Sequence, residues 1–303
     1  MNLKNFKDKT KEFLHHLDIE RNVSAHTLRA YETDLKQFYD FWEQASVQEK
    51  INLTIRLALE RYFVSLYHKK IDKTSIARKV SCFNSFERFC QGQGIKVSLH
   101  LTRPRLDKKL PIFLSVEEIT HLLDVVAEHE LATRYPYRDK AILELLYATG
   151  IRCSELVNIE LQDISFSEQV IRIFGKGKKE RIVLFGAKAD KKIQEYIRLE
   201  RPKSKSNEEK LFLNFMGQPI SSRSIQRIVK KFCIFLKGNR PITPHKLRHT
   251  FATHMLKKGA DLRIIQELLG HQALSSTEIY THVSPTQLLE MADTIHPINK
   301  QKK

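Results

Sequence analysis

The chain is predicted to fold as a mainly α protein in two parts: an N-terminal four-helix domain, then a larger helical domain holding a small antiparallel sheet. Three observations predict this. Apolar residues recur at alternating spacings of three and four through most of the chain, which is the helical period. A pair of β-rich runs joined by a short turn lies near 170–185. A basic stretch with two prolines and no clean periodicity, Ser98 to Pro111, interrupts the helical pattern.

The first helix carries Phe6, Phe13 and Leu17. A second follows Ser24, a fitting N-cap, with Leu28, Tyr31, Leu35, Phe38 and Trp42 on one stripe. Thr54 precedes a third, with Ile55, Leu59, Tyr62 and Leu66; Ile76, Val80, Phe83 and Phe86 mark a fourth, ending near Gly92 and Gly94. Residues 1–100 thus form a compact helical domain whose aromatics are core, and residues 101–111 are the linker. In the second domain, 112–303, the capping box Ser115-x-x-Glu118 opens a helix over 116–127. Another helix spans 138–149 and stops at Gly150, and a third opens near Ser154, so Arg152 sits at a helix–turn–helix corner. QVIRIFG and RIVLF form a hairpin around the lysine-loaded turn KGKKE. Helices then occupy about 187–200, 221–236, 244–258, 262–269 and 276–283 by the same periodicity argument.

The 303 residues include 52 Lys and Arg against 35 Asp and Glu, a net charge of +17, and 41% are hydrophobic. This excludes a disordered chain and calls for a polyanionic partner. Up to position 103 there are 18 basic and 12 acidic residues, and beyond it 34 and 23. Both halves are basic, as expected of a protein that touches a long anion such as duplex DNA with both domains. No apolar run is long enough for a membrane span, and the start of the chain lacks a signal peptide, so a cytoplasmic protein without membrane partners is expected. Cys82, Cys90, Cys153 and Cys233 are too dispersed for a C-x-x-C motif.

Cofactor motifs fail. Gly175-Lys-Gly-Lys lacks the spacing and the helix of a nucleotide phosphate loop, and His129-Glu130 has Thr133 where a zinc motif needs histidine. His245 and His249 share a helix but have no third ligand nearby in sequence. No cofactor and no metal are therefore expected. The segment around 244–283 is different: His245 and Arg248 share a helical face, while Leu247, Phe251 and Met255 point to a core. Gly259 stops that helix, Asp261 caps the next, and Gly270 ends it just before His271, with Tyr280 nine residues on. Paired guanidiniums suit the charge that builds on phosphate oxygens during attack at phosphorus. Tyrosine, with a free pKa of ~10, needs nearby cations and a proton acceptor to attack. Taken singly, each residue also has a structural explanation: Arg152 as a helix cap, His271 as a turn residue, Tyr280 as core.

Together, ATGIRCSEL around Arg152, GKGKKER around Lys176, HKLRH with His245 and Arg248, LLGH with His271 and IYTHV with Tyr280 form five ordered blocks. The chain resembles the tyrosine recombinases of the phage-integrase family, specifically the Xer type, over nearly its whole length. The resemblance implies that Arg152 and Arg248 clamp the scissile phosphate and that Tyr280 is the nucleophile, leaving a 3′-phosphotyrosyl link. Lys176 is implied as the general acid for the departing 5′-hydroxyl. His245 and His271 are implied in proton handling and phosphate binding, in either division. It further implies a tetramer on a duplex recombination site, with itself or a second Xer-type recombinase, exchanging strands through a Holliday junction to resolve chromosome dimers at cell division. A septal DNA translocase is a further implied partner. A terminal helix with Leu288, Leu289, Met291 and Ile295 would dock into a neighbouring protomer, with packing onto its own domain as the alternative.

Arg78, Lys79, Lys178, Lys179 and Arg181 are candidate phosphate contacts, with a merely solvated face as the alternative reading. His249, His254 and His282 are expected to be structural. Two features depart from the family pattern: Cys153 after the first arginine, and a long connection at 128–137. Competing readings are a mobile-element or plasmid integrase with the same chemistry, a noncatalytic DNA-binding protein on this fold, and a type IB topoisomerase.

Overall fold

The computed structural model describes residues 1–49, 53–105, 113–175, 180–202 and 209–270. The chain divides into two compact units, Met1–Leu110 and Pro111–Lys303. The fold is mainly helical with one three-stranded antiparallel sheet, as the periodicity predicts. Among the described residues no helix is long and apolar enough to cross a membrane.

The first unit contains α1 (Leu3–Ile19), α2 (Ala25–Glu49), α3 (Ile55–His68) and α4 (Lys73–Gly92). Side-chain caps start them as the sequence implies: Ser24 Oγ accepts from the Thr27 amide at 3.2 Å, and Thr54 Oγ1 from the Leu57 amide at 3.4 Å. The helices bury one aromatic cluster. Phe6 meets Phe38, Trp42 and Phe86 with ring centroids 5.2, 5.8 and 5.2 Å away, each pair near edge-to-face, the arrangement that ring quadrupoles favour.

A charge is buried in this unit. Asp34 on α2 is fully buried; it accepts from Lys79 Nζ at 2.8 Å and from the Arg78 guanidinium. Lys79 is only 4% exposed and also donates to Gln37 at 2.6 Å. The reading of Lys79 as a phosphate contact is therefore corrected: its ammonium is already desolvated and spent on Asp34, and drawing it out to a phosphate would strand a buried carboxylate. Arg78 is more exposed, but it too is tied to Asp34 and to the Ala30 carbonyl at 3.2 Å.

In the second unit the capping box forms as expected, with the Ser115 amide on Glu118 at 2.8 Å and the Glu118 amide on Ser115 Oγ at 3.2 Å. The helix it opens is shorter than the predicted 116–127. It is α-helical as α5 (Val116–Thr120) and then widens into a π turn over His121–Val125. The Val126 amide reaches back five residues to the His121 carbonyl at 3.0 Å, while the buried Lys140 ammonium takes the Leu122 and Leu123 carbonyls at 2.9 and 3.1 Å. A lysine from a distant helix cannot be read from local periodicity.

Lys140 lies on α6 (Pro136–Thr149), the central helix of this unit, buried from Arg138 to Thr149. It packs against α8 (Gly186–Leu199) and α10 (Pro244–Lys257). Among the described residues the remaining α-helices are α7 (Cys153–Asn158), α9 (Ser222–Lys231) and α11 (Leu262–Leu269); the helix expected over 276–283 lies outside them. The helix predicted over 221–236 is α only as far as Lys231; Phe232–Phe235 tightens into a 3-10 turn. The hairpin forms between β2 (Val170–Phe174) and β3 (Glu180–Leu184), and a short β1 (Ile164–Ser165), not anticipated from sequence, adds to β2. Its register sets Ile171 opposite Val183 and Ile173 opposite Arg181, so Arg181 shares the inward face with buried isoleucine and valine.

Replacing Asp34 with alanine should leave the buried Lys79 uncompensated and cost ~3 kcal/mol. Urea denaturation followed by circular dichroism checks this; a loss below ~0.5 kcal/mol would contradict the buried-pair account.

Candidate active site

Helix α6 ends at Gly150, which adopts φ +62°. Only glycine suits the position twice over, because a Cβ there would lie 2.5 Å from the Phe251 ring and 2.9 Å from Leu269. The chain turns and Arg152 becomes the N-cap residue of α7. Glu155, one turn into α7, closes back on the Arg152 amide at 2.8 Å. Arg248 sits on α10, which Thr243 caps through the Lys246 amide at 3.2 Å. Helix α11 begins at Asp261, which caps the Arg263 amide at 2.6 Å, and ends at Gly270 with φ +64°.

These elements meet at the C-terminal end of α11. Arg181 Nε donates to the Leu268 carbonyl at 3.0 Å, Arg248 Nη2 to the Leu269 carbonyl, and Arg152 Nη2 to the Gly270 carbonyl at 3.1 Å. Three guanidiniums thus take three successive carbonyls that helical geometry leaves unpaired, at the negative end of the helix dipole. Arg248 Nη1 also donates to the Gly150 carbonyl at 2.8 Å. Glu155 joins two of the arginines. Arg181 reaches its two oxygens at 2.9 and 2.8 Å, and Arg152 Nη1 reaches one at 3.0 Å.

Arg248 is buried, not merely on the groove side of α10, with 7% of its surface exposed. Burial and the neighbouring Arg152 pull its guanidinium down to about 10, still protonated at neutral pH. Burial by itself would raise the Glu155 carboxyl; hydrogen bonds from Arg181 and from the Arg152 amide and guanidinium outweigh it and hold Glu155 below the ordinary carboxylate range. Arg152 keeps 43% of its side chain exposed. The cluster therefore has three cations against one carboxylate, with Arg152 facing solvent, and can receive an anion such as a phosphate.

The structure brings Arg152 and Arg248 together around α11 and sets His245, exposed, on the first turn of the helix that carries Arg248. Arg181 lies elsewhere than a solvated hairpin phosphate contact would: its side chain is 9% exposed and all three of its donor groups are bonded inside the protein. Lys176, Lys178, Lys179, His271, Tyr280 and the terminal segment with Leu288, Leu289, Met291 and Ile295 lie outside the described residues. His254 is buried with its Nδ1 at 2.9 Å from the Tyr147 hydroxyl, a packing role as expected. Among the described residues no three His, Cys, Asp or Glu side chains gather where a metal could be held.

Sequence reasoning missed two features. Glu155 carried a signal, the N-cap to N3 spacing from Arg152. The exposed face of α9 carried another: Arg223, Gln226, Arg227 and Lys230 recur at helical spacing and are all exposed, opposite buried Ile225, Ile228 and Val229. That face is a basic strip suited to phosphate contacts.

Because Glu155 is held below its unfolded value of ~4.3, its contribution to stability is full above that value and lost as pH falls through the folded one. Glu155→Gln should cost ~3 kcal/mol at pH 7, and its gap from wild type should close on acidification below pH ~4, as read from urea midpoints across pH.

Comparison with known proteins gives the family and the fold. The model of the phage integrase family matches residues 113–287, and that of the phage integrase N-terminal SAM-like domain matches residues 10–94. The chain is 40% identical over 298 residues to tyrosine recombinase XerC of Thermodesulfovibrio yellowstonii, covering 95% of this chain and 96% of that protein. It is 43% identical over 295 residues to tyrosine recombinase XerC of Staphylococcus haemolyticus, covering 96% and 97%. In fold it is similar to the XerH site-specific recombinase in its pre-cleavage complex with difH substrate, with a TM-score of 0.66, 22% identity, and coverage of 94% of this chain and 84% of that one.

Proposed function

Since this chain belongs to the phage integrase family and is a tyrosine recombinase of the Xer type, we propose that it cuts and rejoins duplex DNA site-specifically through a 3′-phosphotyrosyl intermediate. The observation that carries the chemistry is the arginine cluster at the end of α11, where Arg152 and Arg248 are held by carbonyls on rigid elements, with Glu155 shared between Arg152 and Arg181. Guanidiniums fixed in this way need little reorganisation as charge grows on the phosphate oxygens. In the reaction, the Tyr280 oxygen bonds to phosphorus and its proton passes to a base. The bond from phosphorus to the 5′ oxygen breaks, and that oxygen leaves as a hydroxyl with a proton from Lys176. Attack by the 5′-hydroxyl of a second strand reverses these steps and releases Tyr280. The ester energy is kept in the phosphotyrosyl bond, so rejoining requires no outside energy source. His245 and His271 share proton handling and phosphate binding.

The four-helix domain, residues 1–100, is the second half of the DNA clamp, joined by the linker 101–111 to the catalytic domain 112–303. The basic face of α9 contacts the DNA backbone. The enzyme acts in the cytoplasm as a tetramer on its site, alone or with a second Xer-type recombinase, and resolves chromosome dimers at cell division, with a septal translocase as activator. The whole-length identity to XerC proteins favours this role over a mobile-element integrase.

A nicked duplex carrying the recombination site traps the intermediate. Incubated without ATP or metal, wild type should give a covalent adduct on a denaturing gel, and Tyr280→Phe none; an adduct that persists in Tyr280→Phe removes the nucleophile assignment. Arg248→Ala should slow adduct formation ~10²–10³-fold. For α9, Arg227→Gln should reduce the slope of log affinity against log salt by ~0.9 if that guanidinium neutralises one phosphate. An unchanged slope takes this contact away.

A further inference from the structure

We propose that Arg181 is a positioning residue for strand cleavage, which acts by holding Glu155 away from full pairing with Arg152 and by fixing the end of α11. This rests on the recombinase reading above. The strand register turns Arg181 inward, opposite Ile173, and its guanidinium lies flat against Glu155 in a two-pronged pair at 2.9 and 2.8 Å. A planar fork of this kind is specific to arginine. Its remaining Nε hydrogen goes to the Leu268 carbonyl at 3.0 Å, one residue before the carbonyl bonded to Arg248 and two before that bonded to Arg152. Arg181 therefore touches both things that define the position of Arg152: the carboxylate beside it and the helix end on which it rests.

The electrostatic consequence follows from counting charge. With Arg181 in place, Glu155 is neutralised by a half-buried partner, and the cation on Arg152, which is more exposed, remains available to a phosphate. Without Arg181 the carboxylate has only Arg152 for a close partner, and the tighter pair that forms draws the Arg152 guanidinium from the position the scissile phosphate requires. The arrangement also ties β3, α7 and α11 at one point, so a small displacement there moves a catalytic guanidinium off its geometry. Displacements of about 1 Å can cost ~10²-fold in rate. Gly270 is part of the same fit, since a Cβ there would approach the Arg181 guanidinium to 3.3 Å.

The test compares the full chain with Arg181→Met, Arg181→Lys, Glu155→Gln and the double variant Arg181→Met with Glu155→Gln, each checked for folding by circular dichroism. Two quantities are read on the nicked site: equilibrium affinity for DNA and the single-turnover rate of adduct formation. Arg181→Met should slow the adduct ~10²-fold and leave affinity within ~2-fold, because the residue sets geometry and does not touch DNA. Arg181→Lys, which keeps the charge but not the fork, should recover part of the rate. The double variant should be faster than Arg181→Met, because removing the stranded carboxylate frees Arg152. A merely structural residue would not give that rescue. If Arg181→Met does not fold, the same sign is read from Arg181→Gln with and without Glu155→Gln. Loss of affinity with a salt slope shallower by ~0.9 would make Arg181 a direct phosphate contact and overturn the inference. Additive slowing in the double variant would overturn it as well. Wild type that binds the site but forms no adduct, either alone or with a second Xer-type recombinase and the translocase added, instead refutes the recombinase reading itself, a result separate from any variant.

Discussion

The constraint on which the catalytic unit depends is the unpaired C-terminal end of α11. A helix leaves its last carbonyls without intrahelical partners, and here the Leu268, Leu269 and Gly270 carbonyls are each met by a guanidinium from a different element: β3, α10 and the turn before α7. The same contacts that satisfy the helix end therefore bring together residues separated by up to 118 positions in sequence. Packing of the elements and assembly of the site are one event, not two.

Placing three guanidiniums at one spot is unfavourable unless something offsets their repulsion. Helix dipole and carbonyl oxygens supply part of that offset, and Glu155 supplies the rest by accepting from two of them. The cation excess that remains is what a phosphate needs. Arg248, held by the carbonyls of Gly150 and Leu269, has its charge fixed in a site of low solvation, where its interaction with an incoming anion is strengthened. Glycine at 150 is part of this design: its positive φ aims the carbonyl, and the absence of a side chain lets Phe251 and Leu269 close over it.

Net charge is a poor guide to which cations meet DNA. Of the basic residues singled out for phosphate contact, Lys79 is buried against Asp34, and Arg181, half-buried, is paired with Glu155. Among the described residues α9 carries an exposed basic face, where Arg223, Gln226, Arg227 and Lys230 follow the helical repeat. A buried cation serves the fold or the site through its partner; an exposed cation is available to a long anion.

The sequence by itself determined the helical framework, because periodic burial and capping are local: Ser24, Thr54, Ser115 and Asp261 cap helices where their positions indicate, and Gly150 and Gly270 end them. It also determined the family, through five motifs in order. Even the inward turn of Arg181 was present in the alternation of Arg181, Val183 and Phe185, although its reading as hairpin charge obscured it. Only tertiary structure decided that Arg181 and Arg152 share Glu155, that Lys79 answers Asp34, and that Lys140 widens the helix after α5 by capping the Leu122 and Leu123 carbonyls. These partners lie between three and about 45 residues apart, on different elements in most cases, and a charged side chain announces in sequence its need for a partner but not which one it will find.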